Sequence, residues 1–334
     1  MIFVTLIGFG LAAFLIVFLY QLILTHPMAL WERGAFFFIL TGILITSAYI
    51  RLQYIESDTL EAKVLKPIAS PIQKSIEVVD TLSESKELEK IVLPLIEKEN
   101  GTYSVVIRNL KTGAHYNYNE AEVYSSASLY KLWTMATVFQ QIKDGKLTLD
   151  KPISAEIAML NKAFDLGEDA ELSEGTISNT VEGAVEQMIT ISHNYSAILL
   201  TYVIKNSSVR QFLLSYHLTD SKTGAPPTTT ADDIADYYEM LYKGELISKD
   251  FSNQMIEILK RQKLNDRIPK YLPTDTSIAH KTGELGGVKH DAGIVFSKKG
   301  DYVIVMMSET NAPLKAAEVE ANISKGVWGY FNKN

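Results

Sequence analysis

Two long uncharged runs of apolar residues open the chain. The first covers residues 2–24, where only Thr5 and Gln21 are clearly polar. At 1.5 Å per helical residue, a run of that length spans the ~30 Å hydrocarbon core of a bilayer. The second covers residues 34–50 and lies near the short limit for a span. The pattern predicts a membrane anchor over residues 1–50 that consists of two transmembrane helices.

Three other interpretations of the first run fit less well. The letters GFGLAA match a dinucleotide-binding loop, but that loop opens an amphipathic helix, and this run stays apolar on every face. A cleaved signal peptide begins with basic residues, and the run is preceded by none. A buried hairpin remains open, although two such runs favour the membrane.

The charges around the runs predict the orientation of the anchor. An N-terminal end without charge tolerates the outside, and the loop that carries His26 and Arg33 would then be cytoplasmic. Two spans return the chain to the outside. We therefore expect a two-pass protein of the cell membrane whose remaining residues face the extracytoplasmic space.

The pattern changes after the second run. Residues 51–83 mix charged, apolar and proline residues, which is typical of a stalk or linker. Residues 84–334 then predict one domain, with a helix, a strand pair within 102–124, a helix from Ser128, helical segments through 150–270, three strands and a last helix. Since the strands come from both ends of this domain, we expect an α/β fold of the α+β type. It would have an antiparallel sheet flanked by helices and an all-helical subdomain.

The amino-acid composition excludes several kinds of partner and site. The net charge of −7 and the pI of about 5.5 give no basic surface, so nucleic acid is not an expected partner. The chain has no cysteine, which excludes disulfides and thiol nucleophiles. Its six histidines do not follow a metal-ligand spacing, so we expect no metal and no cofactor.

Two S-x-x-K sequences are present. Ser83 and Lys86 lie in an acidic, solvated stretch that is typical of a helix start. Ser128 and Lys131 lie where a strand-like run gives way to an apolar helix. Three residues apart on a helix, the amine reaches the hydroxyl, and a lysine of lowered pKa can activate a serine nucleophile. Taken alone, an N-cap serine followed by a lysine is the more common explanation of this pattern.

The tripeptide KTG occurs three times. The copy at 111–113 joins two strand-like runs and reads as a turn, and the copy at 222–224 precedes Ala-Pro-Pro, which cannot continue as a central strand. The copy at 281–283 lies between two predicted strands, on a sheet edge that can face Ser128. The chain also contains one S-x-N sequence, at 192–194.

The ordered set S-x-x-K, S-x-N and K-T-G resembles the signature of the active-site serine family that includes class A β-lactamases and penicillin-binding proteins. The resemblance covers residues 84–334 and extends to flanking segments such as IRNLKTGAHYNYNE and HDAGIVF. It implies a β-lactamase or transpeptidase-like fold. It also implies a β-lactam or a peptidoglycan stem peptide as the partner, and no cofactor.

The resemblance assigns catalytic roles to four residues. Ser128 would be the acylated nucleophile and Lys131 its base, while Ser192 would pass a proton to the leaving nitrogen. Lys281 would hold the substrate carboxylate. Because two lysines at one site suppress each other's charge, we expect Lys131 to be neutral while Lys281 stays charged.

The same resemblance assigns substrate contacts. Asn194 would bind the amide side chain of the substrate, and Thr282 would assist in holding its carboxylate. Gly283 would let an edge-on substrate approach closely. The backbone N–H groups of Ser128 and Glu284 would form the oxyanion hole, where negative charge develops.

Two departures from the family pattern affect the expected activity. His193 stands where the family usually has Asp. Class A β-lactamases also carry a glutamate that activates the deacylating water, in a loop after the second motif. The corresponding stretch of this chain has no glutamate before Glu239, and Asp220 is the acid nearest the expected place.

These features predict a membrane-anchored serine hydrolase that is acylated by β-lactams at Ser128 and hydrolyses them slowly. The first alternative is a serine-type D,D-carboxypeptidase, a penicillin-binding protein that acts on D-Ala-D-Ala stem peptides. The second is a non-catalytic penicillin-recognising module.

Overall fold

The computed structural model of the protein describes residues 71–298 and 300–332, with side chains from residue 82 onwards. Both predicted membrane spans, 2–24 and 34–50, lie outside those residues. None of the helices that are described is long and apolar enough to cross a membrane.

Two long helices pack on one face of the central sheet. Helix α1, Pro71–Ile96, begins inside the stretch predicted as a linker, and the last helix, α9, is Pro313–Asn332. They come close together where a Cβ added to Gly326 would lie 2.5 Å from Ile91 Cγ2, so the glycine allows the close approach. Their apolar side chains form a buried cluster with the strands beneath.

A five-stranded antiparallel sheet in the order β2-β1-β9-β8-β7 forms the centre of the domain. Its strands are β1 Thr102–Asn109, β2 His115–Tyr118, β7 Ile278–Leu285, β8 Val288–Val295 and β9 Tyr302–Glu309. The prediction that the sheet is built from both ends of the domain is confirmed. The KTG at 281–283 lies within edge strand β7 rather than at its end.

A helical block packs against the opposite side of the sheet. Helix α2, Tyr130–Lys143, lies at its centre and is buried along most of its length. Residues of α2 share one apolar core with the surrounding helices and with strands β7, β8 and β9. These helices are α3 Ile157–Ala163, α4 Val181–Thr190, α5 Asn194–Ile204, α6 Asn206–Ser215, α7 Ala231–Lys243 and α8 Lys249–Leu259.

The prediction that this subdomain is all-helical is wrong. Strands β4, Pro152–Glu156, and β5, Thr176–Thr180, form a hairpin-like pair within it, and β3, Tyr124–Ser125, pairs with β6, Thr228–Thr229. In β4, buried and exposed positions alternate, which is the period of a half-buried strand. Strand β4 is only five residues long and partly polar, and the segments around it have the longer pattern of helices. The sequence therefore indicated helix throughout this region.

Candidate active site

Ser128 lies in a sharp turn between strand β3 and helix α2. The turn is a 3-10 helix, Ala127–Leu129, and Ala127 has a φ of 43°, in the left-handed region that a residue with a side chain rarely adopts. The N–H of Ser126 donates to Pro227 O at 2.8 Å and ties the turn to a neighbouring loop. Backbone strain of this kind is maintained where the surroundings fix it, and here it presents the serine at the start of a helix.

Lys131 is fully buried directly behind the serine. Its Nζ lies 3.0 Å from Ser128 Oγ and 2.6 Å from both Ser192 O and Asn194 Oδ1. Burial lowers the pKa of Lys131 to about 7, against an opposing effect of the Glu171 carboxylate. The structure thus brings the predicted nucleophile and base together, and a large fraction of this lysine is neutral near pH 7.

Ser192 connects the two motif lysines. Its φ of 58° is again left-handed, and its carbonyl and hydroxyl oxygens both approach Lys131 Nζ, the hydroxyl at 3.1 Å. On the other side, Lys281 Nζ lies 3.0 Å from the same hydroxyl. A hydroxyl that contacts two amines can accept a proton from one and pass its own proton to a substrate.

Lys281 is fully buried in strand β7 and donates to Thr282 O at 2.8 Å. Burial, and then the charge of Lys131, hold the pKa of Lys281 well below its usual value. This differs from the expectation that only Lys131 would lose its charge. Burial therefore disfavours the charged form of both lysines, and an anion bound beside either amine would favour it again.

Thr282 and Gly283 lie where β7 passes the turn that holds the nucleophile. Thr282 is buried, and a Cβ added to Gly283 would approach Ser126 O to 3.2 Å and Leu129 Cγ to 3.3 Å. The glycine therefore lets β7 lie close to the protein's own turn. The close approach of a substrate at Gly283 stays a prediction. Glu284 follows it in the strand, so the turn and the β7 amides are adjacent, as a shared oxyanion hole requires.

The side chain of Glu284 makes contacts that are separate from the proposed role of its backbone N–H. It pairs with Lys289 at 2.7 Å and with the buried guanidinium of Arg267. Arg267 also donates to His290 O at 2.8 Å, in the adjacent strand. These contacts fix the end of β7 beside the site.

Asn194 begins helix α5, and both ends of its amide are occupied. Its Oδ1 accepts from Lys131, and its Nδ2 donates to Glu171 Oε1. Glu171 belongs to the loop between helix α3 and strand β5, and it precedes the S-x-N motif in the sequence. The family pattern predicts a carboxylate after Asn194, and the acidic stretch 168–174 has no residue spacing that singles out Glu171.

His193, which stands where the family usually has Asp, caps helix α5. Its Nδ1 accepts a hydrogen bond from the backbone N–H of Ser196 at 3.1 Å and lies 2.8 Å from Ser196 Oγ. It therefore caps the N-terminus of helix α5 through a ring nitrogen in place of a carboxylate oxygen. The cap stabilises the first turn of the helix in which Asn194 is the first residue.

Asp220 makes no described hydrogen bond to Ser128 or Lys131. It is exposed, and its backbone N–H donates to Asp233 Oδ2 at 3.1 Å. The loop that follows turns back sharply, since Lys222 and Thr228 exchange two backbone hydrogen bonds. The role of Asp220 in activating water at Ser128 stays a prediction, and the KTG at 222–224 is part of a loop, as predicted.

That loop forms one wall of a cavity of about 510 Å³ beside the site. Residues 223–227 line it, and none of them carries a carboxylate. Tyr130 and Asn194 lie on its opposite wall, and Glu171 is at its edge. No group of three or more His, Asp or Glu side chains within the described residues could hold a metal ion.

Comparison with known proteins identifies the family of this domain. Residues 85–331 match the model of the β-lactamase enzyme family. The chain belongs to this family. Membership supports a serine hydrolase of the β-lactamase type. Among curated proteins, no match is found.

Solved structures of the family share the fold. A β-lactamase from Sphaerobacter thermophilus DSM 20745 superposes with a TM-score of 0.64 at 23% identity, over 74% of this chain and 97% of that chain. The protein PBP-A superposes with a TM-score of 0.66 at 24% identity, over 75% and 97%. The TLA-3 extended-spectrum β-lactamase gives 0.65 at 18% identity, over 75% and 100%. At these identities the likeness shows the fold.

Proposed function

We propose that the protein is a membrane-anchored serine hydrolase that is acylated by β-lactams at Ser128 and releases the product slowly. The observation that carries the proposal is the contact between Ser128 Oγ and the buried amine of Lys131 at 3.0 Å. A serine becomes a nucleophile when a neighbouring base of suitable pKa accepts its proton.

The contacts of Lys131 suit the neutral amine. A neutral amine has two N–H groups and one lone pair. The two carbonyl oxygens of Ser192 and Asn194, each 2.6 Å from Nζ, can accept both N–H groups. The lone pair then faces Ser128, whose hydroxyl donates its proton as Oγ attacks the substrate carbonyl.

Acylation then proceeds in a balanced sequence of steps. Ser128 Oγ bonds to the carbonyl carbon, and the oxyanion forms beside the backbone N–H groups of Ser128 and Glu284. The C–N bond of the ring breaks, and the nitrogen takes a proton from the hydroxyl of Ser192. Lys131 returns the proton it accepted to Ser192, so both groups regain their starting states while Ser128 carries the acyl group as an ester.

Lys281 supplies the anchor for the substrate carboxylate. Burial lowers its pKa in the free protein, but an anion placed beside the amine favours the charged form. Thr282, the next residue in β7, offers a hydroxyl to the same anion. Substrate binding and protonation of Lys281 would therefore be coupled.

Slow deacylation is expected because the loop beside the acyl group lacks the glutamate that class A enzymes use. Class A enzymes use a loop glutamate to activate water, and the corresponding loop of this protein presents only residues 223–227 to the cavity. Asp220 is not among the residues that line this cavity. A mutant of PBP-A, which shares this fold, has been solved as an acyl-enzyme complex with penicillin G.

A D,D-carboxypeptidase is the second candidate. The lack of a loop carboxylate favours it, because β-lactam hydrolysis depends on that group more than cleavage of a flexible peptide does. The fold is similar to that of PBP-A as well as to those of β-lactamases. A non-catalytic penicillin-recognising module is the third, and it would be acylated without turnover or not at all.

The proposed location rests on the sequence alone. Two uncharged runs at 2–24 and 34–50 would anchor the protein in the cell membrane, with the domain on the extracytoplasmic side. Peptidoglycan stem peptides and β-lactams are both found on that side.

One experiment separates the three functions. Full-length protein in detergent is mixed with a chromogenic cephalosporin, and its intact mass is followed with time beside Ser128→Ala. We expect a persistent adduct on Ser128 with little product. Rapid product release would indicate an efficient β-lactamase, and no adduct on either protein would overturn the proposal. Release of D-alanine from a D-Ala-D-Ala pentapeptide would indicate the peptidase.

A further inference from the structure

The loop that carries Glu171 has little regular structure. It joins helix α3 to strand β5, and the regular element described within it is a 3-10 turn, Gly167–Asp169. Glu171 is exposed, and the side chain of Leu172 is 48% exposed. Because neither side chain is buried, the position of the loop at these two residues depends on hydrogen bonds.

The backbone of Leu172 is held by a tyrosine hydroxyl and a side-chain amide. The N–H of Leu172 donates to Tyr195 Oη at 3.2 Å, and Tyr195 Oη donates to Asn161 Oδ1 at 2.8 Å. Asn161 Nδ2 donates in turn to Leu172 O at 2.7 Å. The three residues form a closed ring in which each donates one hydrogen bond and accepts one. In the part of the chain that the structure describes, residues 170–174 make no other backbone hydrogen bond.

Two adjacent residues of helix α5 thus hold two adjacent residues of the loop. Asn194 Nδ2 donates to the Glu171 carboxylate, and Tyr195 binds the backbone of Leu172. Tyr195 is 2% exposed and belongs to the apolar core of the helical block, so its ring is fixed by packing. The contact of Asn194 with an exposed carboxylate contributes little by itself, since water competes for both groups. We therefore attribute the position of Glu171 mainly to the buried tyrosine.

The charge of Glu171 acts on the proposed base. It raises the pKa of Lys131, against the larger lowering by burial. The loop segment 223–227, which forms the opposite wall of the cavity, carries no titratable side chain. The titratable groups that lie around Lys131 come from four elements: Tyr130 of α2, His193 before α5, Lys281 of β7, and Asp165, Asp169 and Glu171 of the loop.

We propose that Tyr195 is a positioning residue of the active site, which holds the loop through Leu172 and so keeps the Glu171 carboxylate beside Asn194. The proposal rests on the proposed acylation of Ser128 with Lys131 as the base. It names a residue outside the three motifs that sets the pH range in which that base is active.

Tyr195→Phe tests this, because it keeps the buried ring and removes the hydroxyl. The rate of adduct formation with a chromogenic cephalosporin is measured by intact mass on the full-length protein in detergent, from pH 5 to 9. A loop that is released takes its negative charge away from Lys131, so more of the amine is neutral at low pH. At pH 6 the rate should rise roughly threefold, the size expected for a screened charge pair. The plateau at high pH should be unchanged.

Three further variants assign the effect to the loop. Asn161→Ala opens the same ring from the other side and should give the same shift. Tyr195→Phe combined with Glu171→Gln should shift the profile no further than Glu171→Gln alone, because the hydroxyl acts through that carboxylate. Tyr216→Phe is the control. Its hydroxyl accepts from the N–H of Ile247 at 2.7 Å, outside the cavity lining, so its loss should leave the profile unchanged.

A purely structural role of the hydroxyl would change the rate in the opposite direction. If its loss only loosened helix α5, Asn194 would be displaced and acylation would slow at every pH, which would overturn the proposal. A Tyr195→Phe profile that coincides with that of the unmodified protein, or a double variant that shifts further than Glu171→Gln, would also overturn it. These outcomes leave acylation at Ser128 intact. Absence of an adduct on the unmodified protein would instead overturn the acylation, and the positioning role with it.

Discussion

The side-chain amide of Asn194 donates from Nδ2 to the carboxylate of Glu171. The oxygen of the same amide accepts from the buried amine of Lys131 at 2.6 Å. One amide therefore connects an exposed carboxylate to the proposed base. The negative charge of Glu171 raises the pKa of Lys131 against the larger, opposite effect of burial.

Glu171→Gln should shift the pH dependence of acylation to lower pH. Glutamine retains an oxygen that accepts from Asn194 but lacks the charge that favours protonated Lys131, so the pKa of Lys131 falls. More of the base is then neutral at pH 6, and acylation there is faster. Adduct formation with a reporter β-lactam, measured from pH 5 to 9, checks the shift.

The control for that change is Asp169→Asn. Asp169 is an exposed carboxylate at the same cavity edge, and it has no described hydrogen bond to Asn194. Asp169→Asn should shift the pH dependence of acylation less than Glu171→Gln does. Loss of product release in Glu171→Gln, with acylation unchanged, would instead make Glu171 the base that activates the deacylating water.

In the unmodified protein, acylation should rise with pH through an apparent pKa near that of Lys131, about 7. The neutral amine is the active form, so the rate is low below this pH and levels off above it. Lys131→Arg places a permanent cation there and should slow acylation by roughly a thousandfold. Lys146→Arg, at an exposed position, should leave the rate unchanged. A flat profile from pH 5 to 9 would argue against Lys131 as the base.

Ala225→Glu should accelerate deacylation. Ala225 lines the cavity from the loop in which class A enzymes carry their glutamate, so a carboxylate there can activate water near the acyl group. The adduct lifetime should shorten by roughly a hundredfold, the usual contribution of a general base. Ala225→Gln has the same shape without the base and should leave the lifetime long. Equal lifetimes for both variants would show that the loop does not reach the water.

The motif residues were predictable because local pattern determines where they lie. Strand-like runs before and after Lys281 place it in a sheet, and the apolar helix after Ser128 places a lysine three residues along on the same side. Order along the chain separated the edge-strand KTG from the two copies in turns. These signals depend on a few neighbouring residues, so they can be read without coordinates.

The remaining features depend on contacts between distant segments. Glu171 reaches Asn194 from a loop 23 residues earlier, and no period in the sequence predicts that contact. The lowered pKa of Lys281 results from burial that only the packed fold provides. The role of Gly283 likewise follows from a turn more than 150 residues away. The sequence pattern was enough to identify the motif residues, whereas the contacts and pKa values of these residues depend on packing between distant segments.

His193→Ala should destabilise the fold and also slow acylation. The ring nitrogen caps helix α5, and loss of an N-cap costs about 1 kcal/mol in the free energy of unfolding. Asn194 is the first residue of that helix, so fraying would also loosen its contact with Lys131. His193→Asp restores an acceptor oxygen and should recover both properties. Thr180→Ala, which removes the cap of helix α4, should lower stability by a similar amount without slowing acylation. Urea unfolding and the adduct rate measured on all three variants check this, and equal rates in His193→Ala and Thr180→Ala would show that the cap does not act on the site.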